Sequence, residues 1–417
     1  MKTNHDTMSN PMYVEIDKCR LCNAKELQNV LDLGSQPPAN SLRENPNDSL
    51  LEAPLKLVHC PECSCVQLTA TVDPAYLFSS YVWVTATSST ARAYSETYCA
   101  EVLKRVQDES PFVVEVASND GTFLKQFKDR GCRVLGIDPA RNIATKAGED
   151  GIPTWAEFFN IEIAKKILSE VARPRIVMAR NVIPHVKEIH SIVEGLSELV
   201  DDDGVVVIEF HYAKTIVEEL HYDSIYHEHL FYFSIQSLCA LFAQYGLKPF
   251  DAFESPISGG SLVLFFSHKN LAPSEAMINL QEAESASKLN RLCTWQEFGA
   301  RSINHAKSLK KNVLEYAGKQ KLIAYGASAR SSTLMNFAGI SHNEIDCIVD
   351  RNPIKQGLYT PGTDIPIVSY PEDLKKLEGK HLLLLAWNFA DEIVNDLRAG
   401  GFSGDVIIPL PGEVHIR

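Results

Sequence analysis

Tyr226-His227-Glu228-His229 sets a phenol, two imidazoles and a carboxylate at four consecutive positions. Imidazole is the side chain whose ordinary pKa lies nearest neutrality, so it can take up and return protons at pH 7. A neighbouring carboxylate can orient the ring and hold one tautomer. The motif follows an apolar run, Val205 to Phe210, and opens a second one, Leu230-Phe231-Tyr232-Phe233. His227 reads as a structural histidine, because alternation along an extended segment points it away from Tyr226 and Glu228. A further imidazole comes in Asn181-Val182-Ile183-Pro184-His185, also just past an apolar run.

Cys19-Arg20-Leu21-Cys22 and Cys60-Pro61-Glu62-Cys63 are two Cys-x-x-Cys pairs. Each puts two thiolates on one tight turn, and two such turns close a tetrahedral site of the kind zinc prefers. Four thiolates leave no open position, so the expected ion is structural. Cys65 lies close enough in sequence to compete as a ligand. The stretch between the pairs is longer than the commonest spacing, so a small domain is expected to be inserted there.

Phe112-Val113-Val114-Glu115-Val116 reads as a buried strand running into the small-residue turn Ala117-Ser118-Asn119-Asp120-Gly121. Such a turn lets a ligand approach the backbone, and the helix that follows offers free N–H groups. Asp138 closes the next strand, where a carboxylate can accept both hydroxyls of a ribose. The spacing suits a nicotinamide dinucleotide or S-adenosylmethionine. Glu115 ahead of the turn, and the lack of three glycines in it, favour S-adenosylmethionine.

These groups need a scaffold. Strand-like runs at Phe112–Val116, Val134–Ile137, Ile176–Ala179 and Val205–Phe210 alternate with amphipathic stretches, the pattern of a parallel sheet with crossover helices. Chemistry in open α/β sheets gathers beyond the carboxyl ends of the strands, so Asn181, His185 and the Tyr226 motif should meet at one crevice. A second strand-turn-helix unit begins at Leu322-Ile323-Ala324-Tyr325-Gly326-Ala327-Ser328. The fold class expected is α/β in four pieces. These are a zinc-binding domain (1–90), a Rossmann-like domain for the cofactor (91–270), a helical connector (271–320) and a smaller Rossmann-like domain (321–417). At 417 residues the chain is too long for one ordinary core. A net charge of -13 argues against general affinity for nucleic acid or anionic membrane. No apolar run is long enough to span a bilayer and Met1 to Asn10 is polar, so the expected compartment is the cytoplasm.

Taken together, these residues resemble the S-adenosylmethionine-dependent C-methyltransferases of nucleotide-linked 4-keto-deoxysugars, over nearly the whole chain. The zinc module matches at Cys19, Cys22, Cys60 and Cys63. The cofactor elements match at Glu115 to Gly121 and at Asp138-Pro139, and the catalytic segment at Asp223 to His229. Tyr325 to Arg330, Asp350 to Gly357 and Ala386-Trp387-Asn388 look like the family's C-terminal domain. The resemblance implies Glu115, Ala117, Ser118, Asn119, Gly121, Asp138, Pro139 and Asn181 around the cofactor. It implies methylation at C3 of a 4-keto-6-deoxysugar through an enolate, with His229 as base, supported by Glu228. Tyr226 would bind the sugar or the enolate oxygen, and His185 is the other candidate for polarising the ketone. Tyr81, Gly326, Ala327, Ser328, Arg330 and Arg351 would complete the nucleotide-sugar site. Two positions depart from the pattern. Ala117 stands where glycine is usual, which is tolerable if its φ is negative. Arg330-Ser331-Ser332 replaces Lys-Gly-Asn, and a guanidinium there can still meet a phosphate. The nucleotide and the oligomeric state are not legible, though such proteins are often monomers. Three rivals stand beside this reading. One is an O-methyltransferase, and another is a nucleotide-sugar binding protein without turnover. The third is a metal enzyme using His211, His221, His227 or His229.

Overall fold

The computed structural model describes residues 12–78, 85–87, 89–318, 320–370 and 380–417. The amino-terminal part folds into short strands β1 (Tyr13–Glu15), β2 (Gln28–Gln36), β3 (Ala53–His59), β4 (Val66–Leu68) and β5 (Ala70–Val72). β1 pairs with β5, and β2, β3 and β4 form an antiparallel meander.

The central sheet uses β6 (Phe112–Val116), β7 (Arg133–Ile137), β8 (Thr154–Trp155), β9 (Ile176–Arg180) and β10 (Val205–His211). These five are mutually parallel, and their runs of Val, Ile and Leu suit strands covered on both faces. A short strand, β11 (Phe231–Tyr232), precedes the hairpin of β12 (Lys248–Ser255) and β13 (Ser261–Ser267). That hairpin adds antiparallel strands at the β10 edge, giving the order β12-β13-β10-β9-β6-β7-β8. The strand order reverses between β6 and β9, where an open α/β sheet leaves its crevice.

β11 belongs to a different sheet. It pairs with β4, so the amino-terminal sheet runs β11-β4-β3-β2. The amino-terminal module is therefore not self-contained: its edge strand comes from the segment immediately after His229. The tract expected to be one helical connector is two helices, α2 (Glu275–Ala286) and α3 (Leu292–Ala317), where α1 (Thr122–Lys128) is the helix after the β6 turn. Gly299 lets α3 lie against β2, because a Cβ there would come within 2.4 Å of the Val30 carbonyl oxygen.

The C-terminal unit contains β14 (Leu322–Tyr325), β15 (Ile345–Asp350), β16 (Ile367–Ser369), β17 (Leu382–Leu384), β18 (Val406–Ile408) and β19 (His415–Ile416), with α4 (Ala329–Ala338) after β14. Its order, β16-β15-β14-β17-β18-β19, is doubly wound, with β19 alone antiparallel. One hydrophobic core runs through all three units, from Leu31 and Leu57 through Val114 and Ile208 to Ile348 and Leu383.

Charge is buried under the switch point. Glu115 on β6 and Glu209 on β10 flank Arg180 at the end of β9, with N···O distances of 2.7 and 3.4 Å. Both carboxylates are fully buried. Burial pushes the Glu115 carboxyl up to about 7, against the pull of Arg180. The guanidinium also lies over the Phe123 ring of α1. This triad ties three adjacent strands together beneath the crevice. Arg180→Ala strands two buried carboxylates, so it should cost about 3–5 kcal/mol, read by chemical denaturation. A loss below about 1 kcal/mol, the scale of an exposed pair, would contradict the triad.

Candidate active site

The turn after β6 bends through three left-handed residues, Ala117, Asn119 and Gly121, with φ of 55°, 50° and 76°. The condition under which alanine would replace glycine at position 117 without strain, a negative φ, is therefore not met. The chain keeps an L-residue in a conformation that glycine adopts freely, and such strain clusters at functional loops. Asn181, after β9, is likewise at φ 50°, and its N–H donates to the Glu209 carbonyl oxygen.

Asp138 ends β7. Its two oxygens accept from the N–H groups of Asn119 and Ala140, both at 2.9 Å. Those contacts bring the carboxylate to the turn and leave further lone pairs for hydroxyl groups. The Ser118 hydroxyl is buried without a hydrogen-bond partner among the described residues. A ribose acceptor and an orphaned hydroxyl at this turn fit S-adenosylmethionine. Glu115 is different. One of its carboxylate oxygens is bonded to Arg180 beneath the turn, and the other is buried without a hydrogen-bond partner among the described residues. The Asn119 amide oxygen accepts from Thr85, which ties the turn to the chain ahead of it.

His229 and Tyr226 form a dyad across the crevice. His229 Nδ1 lies 2.8 Å from the Ser224 carbonyl oxygen and Nε2 lies 2.9 Å from the Tyr226 hydroxyl. A carbonyl only accepts, so Nδ1 carries the proton and Nε2 receives the Tyr226 O–H. Burial, with the nearby His185 and Arg330, holds the imidazole well below its ordinary pKa, so it is neutral. His185 sits in the turn Ile183–His185, its ring centre 4.8 Å from that of His229. Burial pushes its pKa down to about 4. The sequence placed these three groups at one crevice, and the fold brings them together.

The other two members of the motif turn toward the amino-terminal module. His227 Nε2 meets the Ala53 carbonyl oxygen at 3.1 Å, the structural role expected of it. Glu228 accepts from the Asn40 amide at 2.6 Å, and burial pushes its carboxyl up to about 7. Its partner is thus Asn40, while the His229 ring is oriented by Ser224 and Tyr226. Asn40 stands 188 residues away and has no local signal in the sequence. The Leu68 N–H donates to the Leu230 carbonyl oxygen, which seats β11 beside β4.

The thiols of Cys19, Cys22, Cys60 and Cys63 lie within 4.8 Å of one another. Cys19–Cys63 and Cys22–Cys60 are 3.6 and 3.5 Å apart. Tetrahedral zinc with Zn–S bonds of about 2.3 Å needs sulfurs about 3.8 Å apart, so the donor set fits. Asn23 and Ser64, each just past its second cysteine, take left-handed φ values and curl the turns around the site. Gln67 donates to Cys19 Sγ at 3.0 Å. Cys65 is buried with its thiol toward the Val66 carbonyl oxygen and stands outside the quartet. Among the described residues, the four cysteines are the only group of three or more such donors gathered around one point.

In the C-terminal unit, Ser328 and Ser331 form a reciprocal capping box that occupies N–H groups at the start of α4. Ala327 N–H is taken by Asp350, and its carbonyl oxygen by Lys355. Gly326 packs against Ala386, where a Cβ would come within 2.8 Å. Arg330 is not open to a phosphate: its fork grips Asp223 at 2.9 and 3.1 Å. Arg351 is exposed, stacked over Tyr370 and paired with Asp396. Tyr81 falls outside the described residues.

Family models match in three consecutive blocks. They are described as "Putative zinc binding domain" over residues 19–78, "Methyltransferase domain" over 91–251 and "C-methyltransferase C-terminal domain" over 256–411. C-methyltransferase NovU of Streptomyces niveus is 32% identical over 408 residues, covering 95% of this chain and 96% of its own. Solved structures include magnesium protoporphyrin IX methyltransferase of Synechocystis PCC 6803 with bound SAM. It is 11% identical over 43% of this chain and 79% of its own, with a TM-score of 0.33. The PH0226 protein of Pyrococcus horikoshii OT3 is 17% identical over 48% of this chain and 97% of its own, with a TM-score of 0.36.

Metal analysis of tag-free protein should find one zinc per chain. Removing it with a chelator should unseat the β3–β4 turn and lower the melting temperature. A metal-free protein with an unchanged melt would contradict the site.

Proposed function

This chain belongs to the zinc-binding, S-adenosylmethionine-dependent C-methyltransferases, and on that premise we propose that it methylates a nucleotide-linked 4-keto-6-deoxysugar at a carbon beside the ketone. The observation that carries the reading is the Tyr226–His229 dyad, with its one basic nitrogen aimed at the phenol. A methyl group joins carbon only if that carbon is first made nucleophilic. A ketone at C4 acidifies the hydrogens on both neighbours, C3 and C5, and C3 is the position drawn from the family resemblance.

The cofactor supplies an electrophilic methyl group. Asp138 and the turn from Ala117 to Gly121 would hold its ribose and amino-acid portions, and Asn181 borders the same crevice. Neutral His229 takes the proton from the carbon beside the ketone, through Nε2. Tyr226 gives up its contact with Nε2 to the substrate and can hydrogen-bond the oxygen on which negative charge develops. His185, neutral and next to His229, is the second donor for that oxygen. A positioned base contributes about 10²–10⁴ in rate, and an oxyanion donor a comparable factor. His229 is a base whose pKa is held low, so protonation disables it only below the ordinary imidazole range. Zinc takes no part in these steps, because its four thiolate ligands leave it no open position.

His229→Asn should reduce kcat by about 10²–10⁴ with S-adenosylmethionine affinity intact. Asp138→Ala should instead raise the cofactor dissociation constant. In the wild type, the acid limb of the kcat/KM profile should fall below pH 6.5, the ordinary imidazole value. A product carrying a 13C-methyl group on oxygen by NMR, near-normal turnover in His229→Asn, or a limb at or above that pH would each count against the reading.

A further inference from the structure

The turn Tyr222–Ser224, which supplies the carbonyl under His229, is gripped from the C-terminal side of the molecule. Asp223 is buried and accepts three hydrogen bonds. Two come from the fork of Arg330, at 2.9 and 3.1 Å, and one from the Trp387 indole at 2.7 Å. Arg330 Nη1 donates to the Ser258 carbonyl oxygen at 3.1 Å, and the guanidinium lies over the Trp387 ring. On either side, the Tyr222 hydroxyl meets His305 Nδ1 at 3.0 Å, and the Thr333 hydroxyl donates to the Ile225 carbonyl oxygen at 2.9 Å. Every residue flanking Ser224 in this turn is thus anchored to α3, α4 or the loop after β17.

We propose that Arg330 and Trp387 are positioning residues for the His229 base. By holding Asp223 they fix the Ser224 carbonyl oxygen, which keeps the proton on Nδ1 and leaves Nε2 as the single basic nitrogen. The proposal rests on the reading of His229 as base. Neither residue touches His229 through a hydrogen bond, and their effect passes through Asp223 and Ser224. If the carbonyl swings away, Nδ1–H loses its acceptor, the other tautomer becomes competitive, and Tyr226 no longer faces a lone pair. A wrongly held tautomer alone can cost a histidine base orders of magnitude in rate. This use of Arg330 also accounts for its forked, stacked geometry, which lysine reproduces only in part.

Trp387→Phe is the cleaner variant, because it keeps an aromatic face and the Arg330 charge while removing the indole N–H. Arg330→Lys keeps a cation and loses the fork. The surroundings of His229 include Tyr226, His185, His211, Tyr232 and Arg330, and both variants preserve that set of charges. The test is 15N NMR of the histidine-labelled full chain, with the His229 ring signals identified by their loss in His229→Asn. In the wild type, Nδ1 should be protonated and Nε2 bare. In Trp387→Phe and Arg330→Lys the two forms should mix. Saturated kcat should fall at least about tenfold, with the cofactor dissociation constant and the melting transition retained. The acid limb of the pH profile should move, if at all, to lower pH, because the Ser224 carbonyl oxygen favours the protonated ring. A single, unchanged tautomer in both variants overturns the proposal, whatever happens to kcat. If the tautomers mix while His229→Asn retains turnover, the base assignment fails and the positioning of the ring stands.

Discussion

An imidazole serves as a base at one nitrogen only when the other is committed as a donor. For His229, the base proposed above, that commitment is the hydrogen bond from Nδ1 to the Ser224 carbonyl oxygen. That contact is local in sequence, but the turn that makes it does not stand by itself. Asp223, just before Ser224, is held by Arg330 and Trp387 of the C-terminal domain. The residues just after Tyr226 are held by the zinc module, through Ala53, Asn40 and β4. The segment from Tyr222 to Tyr232 is a strap between two domains, laid across the crevice of a third.

This arrangement gives the zinc a structural role. Cys60 and Cys63 shape the turn between β3 and β4, and those strands present Ala53 and the pairing edge for β11. A short meander without a large core holds such an edge poorly. Closing it with four metal–thiolate bonds stiffens the surface against which His227, Glu228 and β11 are seated. The buried Glu115–Arg180–Glu209 triad does the matching work beneath the crevice, where the strand order reverses.

Much of this was legible in the chain. The valine-rich runs announced the parallel strands, because strands covered on both faces need little else. The two Cys-x-x-Cys turns announced their ion, and Tyr226, His185 and His229 announced a shared crevice by following strands. What stayed hidden depends on distant contacts. Glu228 pairs with Asn40, and nothing beside either residue points to the other. Arg330 stands where the resembling family has lysine and so suggests a phosphate contact, yet Asp223 claims it. Alanine at position 117 is free of strain only at negative φ, and nothing in the sequence tells that the loop holds it left-handed. The pairing of β11 with β4 crosses what the linear sequence presents as a domain boundary.

The central claim is that His229 removes a proton from carbon beside a ketone. It is tested most directly by mass spectrometry of hydrogen exchange in heavy water, without methyl transfer. The protein is incubated with S-adenosylhomocysteine in place of the methyl donor and a panel of nucleotide 4-keto-6-deoxysugars. Uptake of one deuterium beside the ketone by the wild type, and its loss in His229→Asn, is the result expected. Equal uptake by the two proteins on a sugar that the wild type methylates would contradict the account.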